Sequence, residues 1–214
     1  MKKIILLTLS LLVGHLTAYG QSNLWDVDGF TASQDIIIID ELPEKSEMKR
    51  GDLIFSKAKG VFSFSPINSI NNRALDKLKT EASMKGASHI YITNQSVENS
   101  VFSKTSNYTA RILKQKSVGK SKVENIIEGK TLTRRLERSF SRNAWKSKLS
   151  MRSGNFDLDT SNPIVEKNGK LYLKEKNSTN EFKHEIIAAE TDKIIILEEK
   201  KKDSRFSTVI LTIN

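Results

Sequence analysis

Two histidines lie beyond the first twenty residues, His89 and His184, and the chain contains no cysteine. A hydrolytic triad needs a nucleophile within reach of a base that a third group orients. Serines abound here, yet there is no Gly-x-Ser-x-Gly and no glycine-rich phosphate loop. His89 opens a predicted strand where its ring packs beside Ile90, and His184 sits between Lys183 and Glu185. Both are read as ordinary structural or surface residues. Asp157-x-Asp159-x-Ser161 begins like a calcium loop, but such a loop asks for glycine at its sixth position and glutamate at its twelfth. Asn162 and Asn168 stand there instead, so a turn before Pro163 is expected. Asp26-x-Asp28-Gly29 departs from the pattern sooner. The chain is therefore read as non-enzymatic, with no catalytic residue, metal ligand or cofactor.

Charge is the more informative feature. From Gln21 to Ala110 there are ten Lys and Arg against eleven Asp and Glu, and from Ser153 to Asn214 ten against eleven. Between Arg111 and Arg152 there are thirteen against three, so the middle segment carries the whole basic excess beyond the first twenty residues. Within it, Leu132, Leu136, Phe140 and Ala144 recur every fourth residue, with Arg134, Arg135, Arg138, Arg142, Lys146 and Lys148 around them. That spacing predicts an amphipathic basic helix over Gly129 to Arg152. Its apolar stripe can pack on a neighbour while its cations form a solvated face. Alternatively the cations meet a polyanion, with Trp145 as an apolar anchor among Arg134, Arg135, Arg138, Arg142, Lys146 and Lys148. The candidate partners are anionic lipid, lipopolysaccharide or an acidic protein surface, and a second copy of the chain; without a nucleic-acid motif, nucleic acid is not expected.

The elements that must position these residues follow from periodicity. Ile36 to Ile39, a β-branched run before Asp40-Glu41-Leu42-Pro43, reads as a buried strand and a turn. Asp52 to Phe64 reads as a second extended unit, with Val61-Phe62-Ser63-Phe64 as its best strand. Ile70, Ala74, Leu75, Leu78 and Ala82 then form one stripe at helical spacing, with Gly86 where a left-handed cap is wanted. His89 to Thr93 and Tyr108 to Leu113 are the exit strands. Strand, strand, helix, strand, strand is the order of a small α+β layer closing near residue 114.

The phrase Ala74-Leu75-x-x-Leu78-x-x-Glu81-Ala82-x-x-x-Gly86-Ala87-x-x-Ile90, between strand pairs, resembles the YbjQ-like family. The likeness spans about residues 33–114 and implies that family's α+β fold. The heavy-metal label often given to such domains does not carry over, because cysteine is absent. A similar core occurs in an envelope stress sensor lipoprotein that relies on cysteines and a lipid anchor, and this chain offers no cysteine for either.

Beyond residue 153 the pattern is that of antiparallel strands. Asn168-Gly169 between Ile164 to Lys167 and Leu171 to Lys174 is a strong hairpin signal. Phe182 to Ala189, Lys193 to Glu198 and Phe206 to Ile213 complete a meander or partial barrel. The closing strands are faintly similar to bacterial lipocalin-like domains, which would imply a carrier with an apolar cavity. Lys2, Lys3, the apolar run Ile4 to Val13 and the small residues at Ala18 and Gly20 read as a signal peptide cleaved near Gly20/Gln21. The apolar run falls short of the roughly 20 residues a membrane span needs. The expected organisation is α+β: signal peptide 1–20, YbjQ-like domain 21–114, basic helical connector 115–152 and β domain 153–214. The expected function is that of an exported, periplasmic or secreted, envelope binding or scaffolding module without a lipid anchor; the alternative is a small apolar-ligand carrier.

Overall fold

A computed structural model of the chain describes residues 24–42, 48–60, 64–100, 102–115, 117–201 and 204–214. The predicted signal peptide and most of the predicted strand at Val61 to Phe64 lie outside the described residues.

Alternating apolar residues build the first sheet. β1 (Ile37–Ile39), β2 (Lys49–Lys59), β3 (His89–Asn99) and β4 (Lys104–Lys114) lie in the order β1-β3-β4-β2. β1 runs parallel to β3, and the β3/β4 and β4/β2 pairs are antiparallel. Ile54, Ala58, Ile90, Tyr108, Ala110 and Ile112 point to one face, where helix α1 (Ile67–Met84) covers them with Ile70, Ala74, Leu78 and Ala82. Burying each large aliphatic side chain in such a layer contributes about 1.5–3 kcal/mol. The predicted stripe is the observed one. β1 differs from the fully buried strand expected of four isoleucines. It is an edge strand, and only Ile36, just before it, is deeply buried, while Ile37 is exposed.

α1 begins after Pro66, whose fixed φ suits a helix start and whose carbonyl accepts from the backbone N–H groups of Ser69 and Ile70. It ends in a Schellman cap. Gly86 at φ +73° donates to Ser83 O, and Ala87 donates to Ala82 O. The same glycine faces the second sheet, since a Cβ added there would stand 2.8 Å from Ile187 Cγ2.

The second sheet is wholly antiparallel. Its strands are β5 (Leu132–Ser141), β6 (Lys148–Met151), β7 (Asn155–Phe156), β8 (Ile164–Lys167), β9 (Lys170–Leu173), β10 (His184–Ala189), β11 (Lys193–Lys201) and β12 (Arg205–Ile213). The order is the open path β6-β5-β12-β11-β10-β9-β8, with β7 also on β5. Asn168 and Gly169, at φ 53° and 68°, form the tight turn expected between β8 and β9. Both faces are covered. On one, Ile186, Ile194, Ile196, Val209 and Leu211 pack with Val123 and Ile127 of the short helix α2 (Lys120–Ile127). On the other, Leu136, Phe140, Ile195, Phe206 and Ile210 pack with Trp25, Val27 and Met84, which seats the start of the described chain and the end of α1 against this sheet.

The basic helix predicted over Gly129 to Arg152 does not form. Leu132 to Ser141 is the strand β5, paired along its length with β12. Every-fourth-residue spacing belongs to a strand as well as to a helix, because positions 132, 136 and 140 also share one face at period two. A register shift between Ile210 and Leu211 switches the face partway, so Leu132 joins one core while Leu136 and Phe140 join the other. Within the predicted connector, 115–152, helical structure among the described residues is confined to α2, which ends before Gly129.

Candidate functional site

The seven residues predicted to form one basic face are dispersed by β5. Arg134 lies over the Phe156 ring at 4.9 Å and pairs with Glu175 at 2.5 Å. Arg135 is exposed beside the register shift, its Nε donating to Thr212 Oγ1 at 3.3 Å. Arg138, on the other face, lies 4.5 Å over Trp25, and its burial lowers its pKa. Arg142 reaches Glu81 of α1 and lies over Phe206 at 5.6 Å. Three of the four arginines thus act as covers for aromatic rings, each with its stem on apolar surface. Lys146 and Lys148 are exposed, and Trp145 is 63% exposed on the turn between β5 and β6.

That turn completes a different site. Alternation along β2 buries Ala58 and leaves Lys57 and Lys59 outward. Helical spacing sets Arg73 and Lys77 one turn apart on the α1 face that meets the β2 edge. Arg73 donates to Lys59 O at 2.7 Å and stacks 4.5 Å over Trp145. Lys77 donates to Lys57 O at 2.8 Å and to Arg142 O. Lys57, Lys59, Arg73, Lys77, Arg142, Asn143 and Trp145 line a cleft of about 230 Å³.

Five cations and no carboxylate line this cleft. Arg142 is held by Glu81, but among the described residues Lys57, Lys59, Arg73 and Lys77 have no carboxylate within ion-pair distance. Burial, and after it the nearby Arg73, lowers the pKa of Lys77. A concave site of one charge sign with low-dielectric walls focuses the field and attracts anions. Its guanidinium and ammonium groups offer N–H donors suited to phosphate or carboxylate oxygens. The sequence reading reached Arg142 and Trp145 and missed Lys57, Lys59, Arg73 and Lys77. Those four sit on elements correctly read as strand and helix, and nothing in their spacing shows that the two edges meet.

Two other polar clusters are internally balanced. Lys170 bridges Asp52 at 3.3 Å and Glu185 at 3.2 Å, and Lys114 lies 3.4 Å from Glu185, joining the first sheet to the second. His184, fully buried, holds its Nε2 3.1 Å from Glu175 and its Nδ1 3.2 Å from Glu198. The ring also meets Phe156 edge-on. Burial opposes ionisation of Glu198 most strongly, yet His184 and Lys200 outweigh it and hold its pKa at about 2. With a carboxylate beside each nitrogen, this buried ring belongs to an internal polar cluster. Asp159 accepts from the backbone N–H and the hydroxyl of Ser161, the local turn predicted before Pro163. Among the described residues no group of three or more His, Asp or Glu side chains is placed to hold a metal ion, and no helix is long and apolar enough to cross a membrane.

No protein-family model matches the chain, and neither a curated protein nor a solved structure matches it.

Proposed function

We propose that this chain is an exported, non-enzymatic envelope protein that binds an anionic group on a surface or partner through the cleft between β2, α1 and the β5–β6 turn. The observation that carries the reading is the cleft itself, with Lys57, Lys59, Arg73, Lys77 and Arg142 around one concave space and no acidic side chain lining it. The YbjQ-like reading of residues 33–114 belongs to this proposal and is compatible with the order β1, β2, α1, β3, β4. Signal-dependent export belongs to it as well. The carrier reading would need an apolar cavity among the strands of the second sheet. The dense packing of that sheet against α2 on one face and against Trp25 and Met84 on the other favours the cleft instead.

Inorganic pyrophosphate is a suitable probe, because exposed Trp145 stacks on one of the lining cations and reports on the cleft. Saturable quenching of its fluorescence, weakened at high salt and lost in Lys59→Gln/Arg73→Gln, is expected. Quenching that is absent, or unchanged in that double variant, would remove the reading.

A further inference from the structure

Three aromatic side chains stand far out of the fold, Phe64 at 79%, Phe102 at 95% and Trp145 at 63% exposure. They lie on three separate connections: the lead-in to α1, the β3–β4 hairpin and the β5–β6 turn. Contacts tie all three to one end of the first sheet. The Lys104 ammonium donates to Ser65 O at 3.2 Å, placing the residue after Phe64 beside the hairpin that carries Phe102. Gly60 donates its backbone N–H to Lys104 O at 2.8 Å, which brings the end of β2 to the same place. Arg73 then links Lys59 to Trp145.

These contacts gather the three aromatic-bearing connections, together with Lys59, Arg73 and Lys104, along one rim of the first sheet. Glu98, opposite Thr105 on the hairpin, is the acidic residue of β3 at this end. Exposed apolar residues scattered singly are ordinary on a monomer, whereas several large aromatics gathered at one end of a sheet mark a candidate binding surface. Their division among three loops, with cations between, departs from the continuous apolar core of a typical protein–protein patch. It matches the composition of a bilayer interface, where aromatic rings sit at headgroup level and Lys and Arg meet anionic lipid.

We infer that this rim docks on a bilayer surface carrying anionic lipid, with Phe64, Phe102 and Trp145 entering the headgroup region and the cleft receiving headgroup phosphate. The inference rests on the anion-binding reading of the cleft and adds its partner. Aromatic insertion supplies depth, and the cations select charge. The two contributions are separable by mutation, since Phe64 and Phe102 are exposed and serine at either leaves the core intact.

The test is sedimentation of the full chain with vesicles of phosphatidylglycerol and phosphatidylcholine, or of phosphatidylcholine alone, at low and high salt. A parallel measurement follows quenching of Trp145 by lipids brominated along the acyl chain, with Trp145→Phe as the blank. Expected are salt-sensitive binding to the anionic vesicles alone, brominated-lipid quenching that disappears in Trp145→Phe, and a drop of about tenfold or more in partitioning for Phe64→Ser/Phe102→Ser. Unchanged partitioning of that variant would overturn the rim. Pyrophosphate quenching without vesicle binding would overturn the membrane partner while leaving the anion site standing. Absence of both would remove the site and the partner together.

Discussion

Arg142 holds Glu81 with two hydrogen bonds, 2.8 and 2.6 Å long, across 61 residues of sequence. Glu81 is 1% exposed and lies on α1; Arg142 follows the last residue of β5. The pair therefore fixes the β5–β6 turn, and with it Trp145, against the helix that supplies Arg73 and Lys77.

Removing one member of such a pair leaves the other charge buried. Arg142→Ala is expected to lower stability to urea by about 3–5 kcal/mol, with Lys85 at 3.7 Å offering Glu81 only partial compensation. The paired replacement Arg142→Leu/Glu81→Leu, which strands no charge, is expected to cost much less. Equal losses in the two variants would show that the ion pair is not what holds the turn.

Gly86 joins a backbone requirement to a packing one. Its φ of +73° ends α1, and a Cβ there would press on Ile187 of β10. Gly86→Ala is expected to destabilise by about 1–3 kcal/mol, from left-handed strain together with overpacking. Thermal unfolding of Gly86→Ala, Ile187→Ala and the double variant separates the two, because alanine at 187 removes the Cγ2 that the new methyl would meet. A loss in the double variant smaller than the sum of the single losses identifies the contact with the second sheet, and additive losses would leave backbone strain alone.

Parts of the fold are legible in sequence because their signals are unambiguous. The stripe from Ile70 to Ala82, the cap at Gly86 and the turn at Asn168-Gly169 each satisfy one geometry and violate the others. β5 is not legible in this way. Leu132, Leu136 and Phe140 fit both periods, and the arginines between them resemble a polar helix face. What separates the two readings is that Arg134, Arg138 and Arg142 share parity with the apolar residues and so turn toward the protein, where rings await them. The partners Phe156, Trp25 and Phe206 are distant in sequence, and no local pattern announces them. The cleft is hidden for the same reason, since it arises where a strand edge, a helix face and a turn converge.

Acid stability should report on the buried chain of charges around His184. Glu198 has an unfolded-state value near 4.5 and a folded value of about 2, so its stabilising contribution is complete above the first and disappears as pH falls through the second. A shift of that size in a group so deeply buried corresponds to about 3 kcal/mol. Glu137, also lowered because Ser207 and Arg152 outweigh its burial, acts in the same direction. Wild-type stability is expected to decline steeply between about pH 4.5 and 2, and Glu198→Gln to be less stable at neutral pH with a shallower decline. Parallel pH profiles for the two proteins would exclude Glu198 as the source.

The strongest contrast lies between the arginines that the segment's composition points to and the cations that the fold gathers. Arg134 and Arg138 are committed to Phe156 with Glu175 and to Trp25, respectively. Arg134→Gln and Arg138→Gln are therefore expected to lose about 1–2 kcal/mol of stability each while binding anions as the wild type does. Lys59→Gln should do the opposite, keeping its stability to within about 0.5 kcal/mol, and Arg73→Gln, which gives up a half-buried stack on Trp145 and a hydrogen bond to Lys59 O, should lose about 1 kcal/mol. Each removes a cation from the cleft, and anion affinity should fall several-fold per substitution with a weaker dependence on salt. Measured together by Trp145 quenching and urea unfolding, the four variants should fall into two groups by anion affinity, whatever stability each loses. If Arg134→Gln weakens binding as much as Arg73→Gln does, the functional surface extends across β5 and is not confined to the cleft.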